Sequence, residues 1–302
     1  MSATASALDP AVLDRLSSLS LVARTVVEGF MAGQHRSPHL GSSVEFAQHR
    51  EYAPGDELRR VDWKVFGRSD RLVVKQYVEE TNLVCHLLLD CSESMAYTSL
   101  AWSKFDYARW CAAAMTHLVL QQRDTVGLVL FDEAFRAKVP PGNGAAQRKN
   151  ILETLEKAAP SGPTRIANVL DWIAPKLKQR GLVCIFSDFF DEPEGIHSGV
   201  RRLLHGGHEP ILFQVLDPQE TRFEFERLLK LEGLENTGIH KIDPRAIRAA
   251  YLEEIEKHNT ELARHARALS VDFVPLSTST GLDAALSTYL AHRMARARGG
   301  RR

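Results

Sequence analysis

The sequence lacks the features that mark several large protein classes. It has four cysteines in 302 residues and no Cys-x-x-Cys pair, which excludes a disulfide scaffold and argues against a zinc site or a redox pair. Because Cys85 and Cys184 lie within apolar runs, we expect buried free thiols. No apolar run reaches the ~20 residues that a membrane span needs. Residues 1–8 lack the basic start and apolar run of a signal peptide, so we expect a soluble cytoplasmic protein.

The chain also has no formal net charge at pH 7. The chain carries 38 basic and 38 acidic residues, so its overall charge attracts neither nucleic acid nor an anionic membrane. The sequence contains no G-x-x-x-x-G-K-[S/T] loop for ATP and no G-x-S-x-G nucleophile elbow. What remains is an ordinary globular composition, 44% hydrophobic and 25% charged, with enough apolar residues for a sizeable core.

Strand-like and helix-like segments alternate through most of the chain. Nearly continuous apolar runs such as 83–90 and 182–188 indicate buried parallel strands, and amphipathic segments between them indicate helices. The alternation predicts an α/β fold with a doubly wound, mostly parallel sheet of the Rossmann type. The predicted divisions are an N-terminal extension of helices and a strand (residues 1–80), the α/β domain (81–298) with a small hairpin insertion at about 217–243, and a basic tail (299–302).

The predicted helices include two whose limits follow from local sequence signals. The first covers residues 10–31, with Asp9 as its N-cap and Pro10 at its first helical position. The second covers residues 164–179 and opens at Thr164. A third, shorter helix is expected after Asp56.

An Asp-x-Ser-x-Ser stretch stands where the first apolar strand ends. In an open α/β sheet, ligands bind beyond the carboxyl ends of the strands, so this position strengthens a pattern that also arises by chance. One carboxylate and two hydroxyls are hard oxygen ligands that suit Mg²⁺ or Mn²⁺ rather than zinc. A threonine before a helix and an aspartate after another strand are expected at the same edge. The sequence therefore predicts a Mg²⁺ site with these residues: Asp90, Ser92, Ser94, Thr164 and Asp188.

Two alternatives stay open at this edge. Ser92 and Thr164 can cap helices without binding a metal. Asp191 and Glu192 compete with Asp188 for the metal-facing position, and Asp188 is preferred because it ends the apolar strand.

The predicted site resembles the metal-ion-dependent adhesion site of von Willebrand factor A domains. That site has Asp-x-Ser-x-Ser on a first loop, a threonine on a second and an aspartate on a third. The resemblance implies that Ser92, Ser94 and Thr164 bind Mg²⁺ directly or through water, and that the two aspartates bind or anchor waters. It also implies that an acidic side chain of a partner completes the metal's coordination.

Motifs upstream of the site closely resemble the signature of the bacterial domain-of-unknown-function family 58. The motifs are Gly41 to Phe46, Arg50-x-Tyr52-x-Pro54-Gly55-Asp56 and Arg60 to Lys64, extended by Arg68, Val74 to Tyr77 and Asp90 to Met95. Members carry a von Willebrand A-like core and are often encoded beside MoxR-type AAA+ ATPases, which implies a role in complex assembly or maturation. Many relatives carry membrane segments, which this sequence lacks. Glu93 departs from the small residue that is commoner at its position.

The stretch from Arg50 to Lys64 has two interpretations. As a structural element, Asp56 and Arg60 pair on a helix with Trp63 packed beneath them. As a functional element, basic side chains form a docking patch for an acidic partner or phosphate. The residues of that predicted patch are Arg50, Arg59, Arg60 and Lys64.

The favoured function is a non-enzymatic protein-interaction module. It binds Mg²⁺ and recognises an acidic group on a protein partner, with a MoxR-type AAA+ ATPase as the partner that the resemblance suggests. The rival is a Mg²⁺-dependent phosphatase or nuclease that uses Asp90, Asp188 and Asp191, for which Glu93 or His86 has to serve as the base. A scaffold with a vestigial metal site is the third hypothesis.

Overall fold

The structure is a computed structural model that describes residues 9–34, 49–51, 63–69, 71–75, 83–225, 229–232 and 239–299. The chain groups into two compact units, one of residues 1–32 and 82–302 and the other of residues 33–81. The predicted division placed all of residues 1–80 in one extension, so the two divisions differ for the first 32 residues.

The elements alternate as the sequence pattern requires. The strands are β1 (His49–Glu51), β2 (Val73–Lys75), β3 (Val84–Asp90), β4 (Thr125–Phe131), β5 (Phe135–Gly142), β6 (Leu182–Ser187), β7 (Glu209–Leu216), β8 (Leu229–Glu232), β9 (Ile239–Ile242) and β10 (Asp272–Ser277). The helices are α1 (Pro10–Leu13), α2 (Leu19–Gln34), α3 (Trp63–Ser69), α4 (Lys104–Gln121), α5 (Gly144–Lys157), α6 (Ile166–Ile173), α7 (Pro193–His205), α8 (Pro218–Arg222), α9 (Pro244–Ala268) and α10 (Asp283–Gly299).

Six described strands of the larger unit form one sheet, in the order β10-β7-β6-β3-β4-β5. All neighbours are parallel except β5, which runs antiparallel to β4 at one edge. The chain leaves β3 towards β4 and β5 and then crosses back to β6 on the other side of β3. This is the doubly wound order, and it creates a topological switch point between β3 and β6, where such sheets bind ligands. The predicted fold class is confirmed.

Helices cover both faces of this sheet. Leu87 and Leu89 of β3 pack into an apolar cluster with α2, α4, α5 and α10. Leu88 points to the opposite face and packs with α6, α7 and α9. Since successive strand residues alternate between faces, a strand buried on both sides must be apolar throughout. This accounts for the nearly continuous apolar run from Leu83 to Leu89, which is interrupted by His86.

Two predicted long helices are wrong in extent. The segment predicted as one helix over 10–31 forms α1 and α2, because Ser18 starts a new helix: its carbonyl accepts from the N–H groups of Leu21 and Val22, and its Oγ accepts from Leu21 N at 3.3 Å. The helix predicted over 164–179 ends at Ile173. Pro175 follows in a short 3₁₀ turn, and proline removes a donor from the helix ladder.

Two smaller antiparallel pairs accompany the main sheet. β8 and β9 pair as the predicted hairpin, with Leu229 opposite Ile242, and the turn between them lies outside the described residues. In the smaller unit β1 pairs with β2, with Arg50 opposite Val74. None of the described helices has both the length and the apolarity required to cross a bilayer.

The four cysteines are buried and unpaired, which leads to a simple prediction. Burial raises the pKa of the Cys91 thiol to about 12, and it raises that of Cys111 as well. Because the thiolate is the reactive form, we expect a colorimetric thiol reagent to label almost no cysteine in the native chain and all four after unfolding in urea. Rapid labelling of the native chain at neutral pH contradicts this burial.

Candidate metal centre

Loops at the carboxyl end of the sheet carry all the predicted ligand residues. Asp90 is the last residue of β3, and Ser92 and Ser94 lie on the turn that follows it. Asp188 is the first residue after β6. Thr164 lies two residues before α6. Because β3 and β6 are parallel neighbours, their last residues meet at the switch point.

The hydroxyl groups of Ser92, Ser94 and Thr164, here called the hydroxyl cluster, are in contact. Ser92 Oγ lies 3.1 Å from Ser94 Oγ, and Ser94 Oγ lies 3.2 Å from Thr164 Oγ1. Two oxygens at adjacent corners of a Mg²⁺ octahedron with ligand distances of about 2.1 Å are about 3.0 Å apart. The spacing of the cluster therefore fits neighbouring ligands of one small cation.

Backbone hydrogen bonds fix the two loops that form this cluster. Glu93 N donates to Gly162 O at 2.7 Å, and Ser161 N donates to Cys91 O at 2.8 Å. Gly162 has a φ of +77°, a conformation that favours glycine. A Cβ atom there would also lie 3.3 Å from an oxygen of Asp132. The close approach of the two loops thus depends on glycine at this position.

Arg136 of β5 supports the second loop from the side. Its Nη2 donates to Ser161 Oγ at 2.6 Å, and its Nη1 donates to Ala159 O at 3.0 Å. Its Nε lies 3.2 Å from a carboxylate oxygen of Asp132. These contacts hold the backbone that precedes Thr164.

Asp90 supplies a fully buried carboxylate at the centre of the site. One oxygen accepts from Ser92 N at 2.8 Å, and the other accepts from Ser187 Oγ at 2.6 Å. Burial, followed by the charge of Asp188, raises the pKa of the Asp90 carboxyl to about 7. The surroundings of Asp90 thus contain too little positive charge to stabilise its ionised form.

Lys104, at the start of α4, places an ammonium group beside Asp188. Its Nζ donates to Asp188 Oδ2 at 2.8 Å and to Glu220 Oε1 at 2.6 Å, and its side chain is 0% exposed. Burial lowers the pKa of Lys104, but the two carboxylates raise it further, so the net shift is upward. Burial also raises the pKa of Glu220, against the opposing influence of Lys104.

Two of the buried carboxylates in this region share one ammonium group. Asp188 and Glu220 both contact Lys104, whereas Asp90 is held by hydrogen bonds from Ser92 N and Ser187 Oγ. A bound cation would supply the positive charge that the ionised form of Asp90 lacks in its surroundings.

Lys104, Ser187 and Glu220 were not predicted from sequence patterns. A signal for Glu220 was present: Asp217 and Glu220 form a capping box around α8, the pattern expected of an Asp followed three residues later by a Glu. Ser103 and Asp106 form another capping box, which places Lys104 in a first helical turn. Nothing in the sequence shows that this lysine is buried.

The structure also bears on the alternatives at this edge. The N-cap position of α6 is Arg165 rather than Thr164, and Ser92 precedes its short 3₁₀ helix without a side-chain capping bond. The Asp191 carboxylate accepts from Ala167 N at 3.2 Å and Glu192 N at 2.8 Å. Asp191 therefore engages the loop backbone, whereas Asp188 is the carboxylate that acts on Asp90.

The predicted docking patch is described only in part. Arg50 lies in β1 and Lys64 in α3, while Arg59 and Arg60 lie outside the described residues. The expected pairing of Asp56 with Arg60 lies outside the described residues. Trp63, which was expected to pack beneath that pair, is exposed, and its ring meets that of Phe66 edge-on.

Comparisons with known proteins agree with the motifs. The model of the family described as "Protein of unknown function DUF58" matches residues 48–261. The chain is 27% identical over 290 residues to "Uncharacterized protein Rv1480" of Mycobacterium tuberculosis, covering 94% of this chain and 90% of that protein.

Two solved structures are also similar. The conserved hypothetical protein BatB from Bacteroides thetaiotaomicron has 15% sequence identity and a TM-score of 0.49, with 71% of this chain and 99% of that one covered. The SpRpn10 VWA domain has 10% identity and a TM-score of 0.44, with 68% and 94% covered.

Proposed function

The chain belongs to the DUF58 family and has a doubly wound, mostly parallel sheet, and from this premise we propose that it is a non-enzymatic protein-interaction module with a von Willebrand factor A-like core. In this proposal the candidate metal centre binds Mg²⁺ or Mn²⁺ and recognises an acidic group on a protein partner. A fold alone does not specify a function, so the proposal depends on the geometry and chemistry of the site.

The observation that carries the proposal is the spacing of the hydroxyl cluster. Ser92 Oγ lies 3.1 Å from Ser94 Oγ, which in turn lies 3.2 Å from Thr164 Oγ1. Neighbouring oxygen ligands of a Mg²⁺ ion have a similar spacing. The ion would be held by Ser92, Ser94 and Thr164, with Asp90 and Asp188 supplying buried negative charge. When bound, it supplies a strongly polarising cation with affinity for one more anionic oxygen.

Hydroxyl ligands make this site suited to recognition. A hydroxyl oxygen is neutral, so the cluster leaves most of the cation's charge uncompensated, whereas an all-carboxylate site neutralises it. Lys104 has the same effect, because its ammonium group offsets part of the charge of Asp188. A partner's carboxylate therefore gains more from binding here than at a site rich in acidic ligands.

Burial determines the side from which a partner approaches. Asp90, Ser92 and Asp188 are fully buried, whereas Ser94 is only partly buried and Thr164 retains a small exposed area. A partner's acidic side chain thus has to reach the site past Ser94 and Thr164. The family signature makes a MoxR-type AAA+ ATPase the first partner to test.

A phosphatase or nuclease is less well supported by the same geometry. His86, one of the two bases considered for it, contacts the carbonyl of Gln179 through Nε2 at 2.9 Å, and Gln179 precedes β6. His86 therefore lies towards the amino ends of the strands, opposite the candidate metal centre. Asp191 is engaged with backbone N–H groups.

The proposal is tested by binding of a purified MoxR-type AAA+ ATPase from the same organism to the immobilised chain. We expect binding in Mg²⁺, its loss when the ion is removed with EDTA, and its return when Mg²⁺ is restored. Exposed acidic residues of the ATPase are then neutralised by substitution, one surface patch per variant. We expect binding to weaken in the variant whose patch carries the acidic group that reaches the metal. Equal binding in Mg²⁺ and EDTA excludes a metal-dependent interaction with this partner.

A further inference from the structure

A second group of metal-ligating side chains lies between α7 and α9, away from the loops of the candidate metal centre. Glu194 and His197 are three residues apart on α7, and Glu261 and His265 are four apart on α9. Both spacings place a pair on one face of its helix. The ligand atoms of Glu194, Glu261 and His265 all lie within 4.8 Å of one another, and the rings of His197 and His265 are 4.8 Å apart.

His265 is already oriented as a metal-binding histidine is. Its Nδ1 lies 3.3 Å from Pro193 O, so the proton that faces this carbonyl is on Nδ1 and Nε2 keeps its lone pair. Metal-ligating histidines almost always use their second nitrogen in this way. The contact fixes both the tautomer and the direction of the ring.

A cation already lies between two of these ligands. Arg264 Nη2 is 3.0 Å from Nε2 of His265 and 3.2 Å from Oε1 of Glu261. The Arg264 side chain is 67% exposed, and an exposed ion pair contributes little free energy. A metal ion can therefore replace the guanidinium at small cost.

We propose that Glu194, Glu261 and His265 form a second cation site, which takes a borderline divalent ion such as Zn²⁺. Carboxylate and imidazole ligands at about 2.0–2.2 Å suit Zn²⁺, whereas an imidazole ligand disfavours Mg²⁺. The ligand atoms must approach one another by up to about 1.5 Å to reach tetrahedral spacing, which the long glutamate side chains permit.

His197 lies beside this group, with its ring centre 4.8 Å from that of His265. Its Nδ1 is buried and has no hydrogen-bond partner among the described residues. Burial lowers the pKa of His197, as do the nearby His265, Arg201 and Arg264, against the opposing influence of Glu194. An ion bound by Glu194, Glu261 and His265 connects α7 to α9.

The test is a calorimetric titration of the native chain with Zn²⁺ in a large excess of Mg²⁺. Binding of Co²⁺ in place of Zn²⁺, measured by its absorption spectrum, reports on the ligands. We expect one Zn²⁺ bound at this site and a weakening of about tenfold or more in His265→Gln and in Glu261→Gln. Arg264→Gln is expected to strengthen Zn²⁺ binding, because it removes the competing cation.

The matched control is His292→Gln, which changes a histidine that pairs with Asp272 elsewhere on the surface. We expect its Zn²⁺ affinity to equal that of the native chain. The inference is overturned if His265→Gln and Glu261→Gln both bind Zn²⁺ as the native chain does, or if only Asp90→Ala abolishes binding. Circular dichroism of each variant shows that the fold is kept.

Discussion

Replacing Thr164 by valine is expected to weaken Mg²⁺ binding by about 10- to 100-fold, because valine keeps the shape of the side chain and removes its hydroxyl. A hydrogen bond to a charged group contributes about 1.5–3 kcal/mol, and each 1.4 kcal/mol is about a tenfold change in affinity; we take a lost oxygen ligand to be of at least this size. The hydroxyl of Thr164 lies 3.2 Å from that of Ser94, so its loss removes one member of the cluster. Calorimetry with Mg²⁺, repeated with Mn²⁺, measures the change.

Two variants make this result specific. Thr164→Ser keeps the hydroxyl and is expected to retain most of the Mg²⁺ affinity. Thr154→Val makes the same chemical change on α5, where the hydroxyl donates to Asn150 O, and is expected to bind Mg²⁺ as the native chain does. Equal Mg²⁺ affinity in Thr164→Val and Thr154→Val shows that the hydroxyl cluster is not the binding site.

Replacing Lys104 by methionine is expected to lower the free energy of unfolding by about 3–5 kcal/mol, the cost of removing one partner from a buried ion pair. Methionine fills a similar volume, so the loss comes from charge rather than packing. The carboxylates of Asp188 and Glu220 stay buried without their shared donor, and the contact of the ammonium with the Phe190 ring, 4.9 Å from its centre, is lost as well. Urea unfolding followed by circular dichroism measures the difference.

Lys257→Met is the control for this change. The Lys257 side chain is 69% exposed, and its ion pair with Glu254 is long, at 3.7 Å. Its replacement is therefore expected to change stability by no more than about 0.5 kcal/mol. Adding Glu220→Gln to Lys104→Met is expected to recover part of the loss, because one unpaired carboxylate is removed. Equal unfolding midpoints for native and Lys104→Met chains contradict the role given to this lysine.

The stabilisation by Lys104 has a defined pH range. The two carboxylates raise its pKa above the unfolded value of 10.5. Its contribution is therefore fully present below pH 10.5 and is lost as the pH rises through the higher folded-state pKa. On the alkaline side, the difference between native and Lys104→Met chains is accordingly expected to shrink only above pH 10.5.

The sequence predicted the strands well and the helix ends less well. Buried strands such as β3 and β6 are apolar at most positions, and this pattern can be recognised in the sequence without knowing which strands are neighbours. The helix expected over 164–179 stops at Ile173, since Pro175 outweighs the helical periodicity around it. The break before α2 was not predicted, because the helical spacing of apolar residues continues on both sides of it. The break arises at Ser18, whose hydroxyl and carbonyl oxygens accept hydrogen bonds from backbone N–H groups of the next turn.

By itself, the sequence determined the order of the strands along the chain and the polar residues at their carboxyl ends. These follow from local patterns: apolar runs, caps and a short motif after a strand. Only the tertiary structure decided which of those residues meet. The contacts of Lys104 span 84 residues to Asp188 and 116 to Glu220, and the hydroxyl cluster joins Ser94 to a residue 70 positions away. Such contacts depend on the strand order and on how α4 packs against the sheet, because charges and hydroxyls far apart in sequence are brought together only when the whole sheet is assembled.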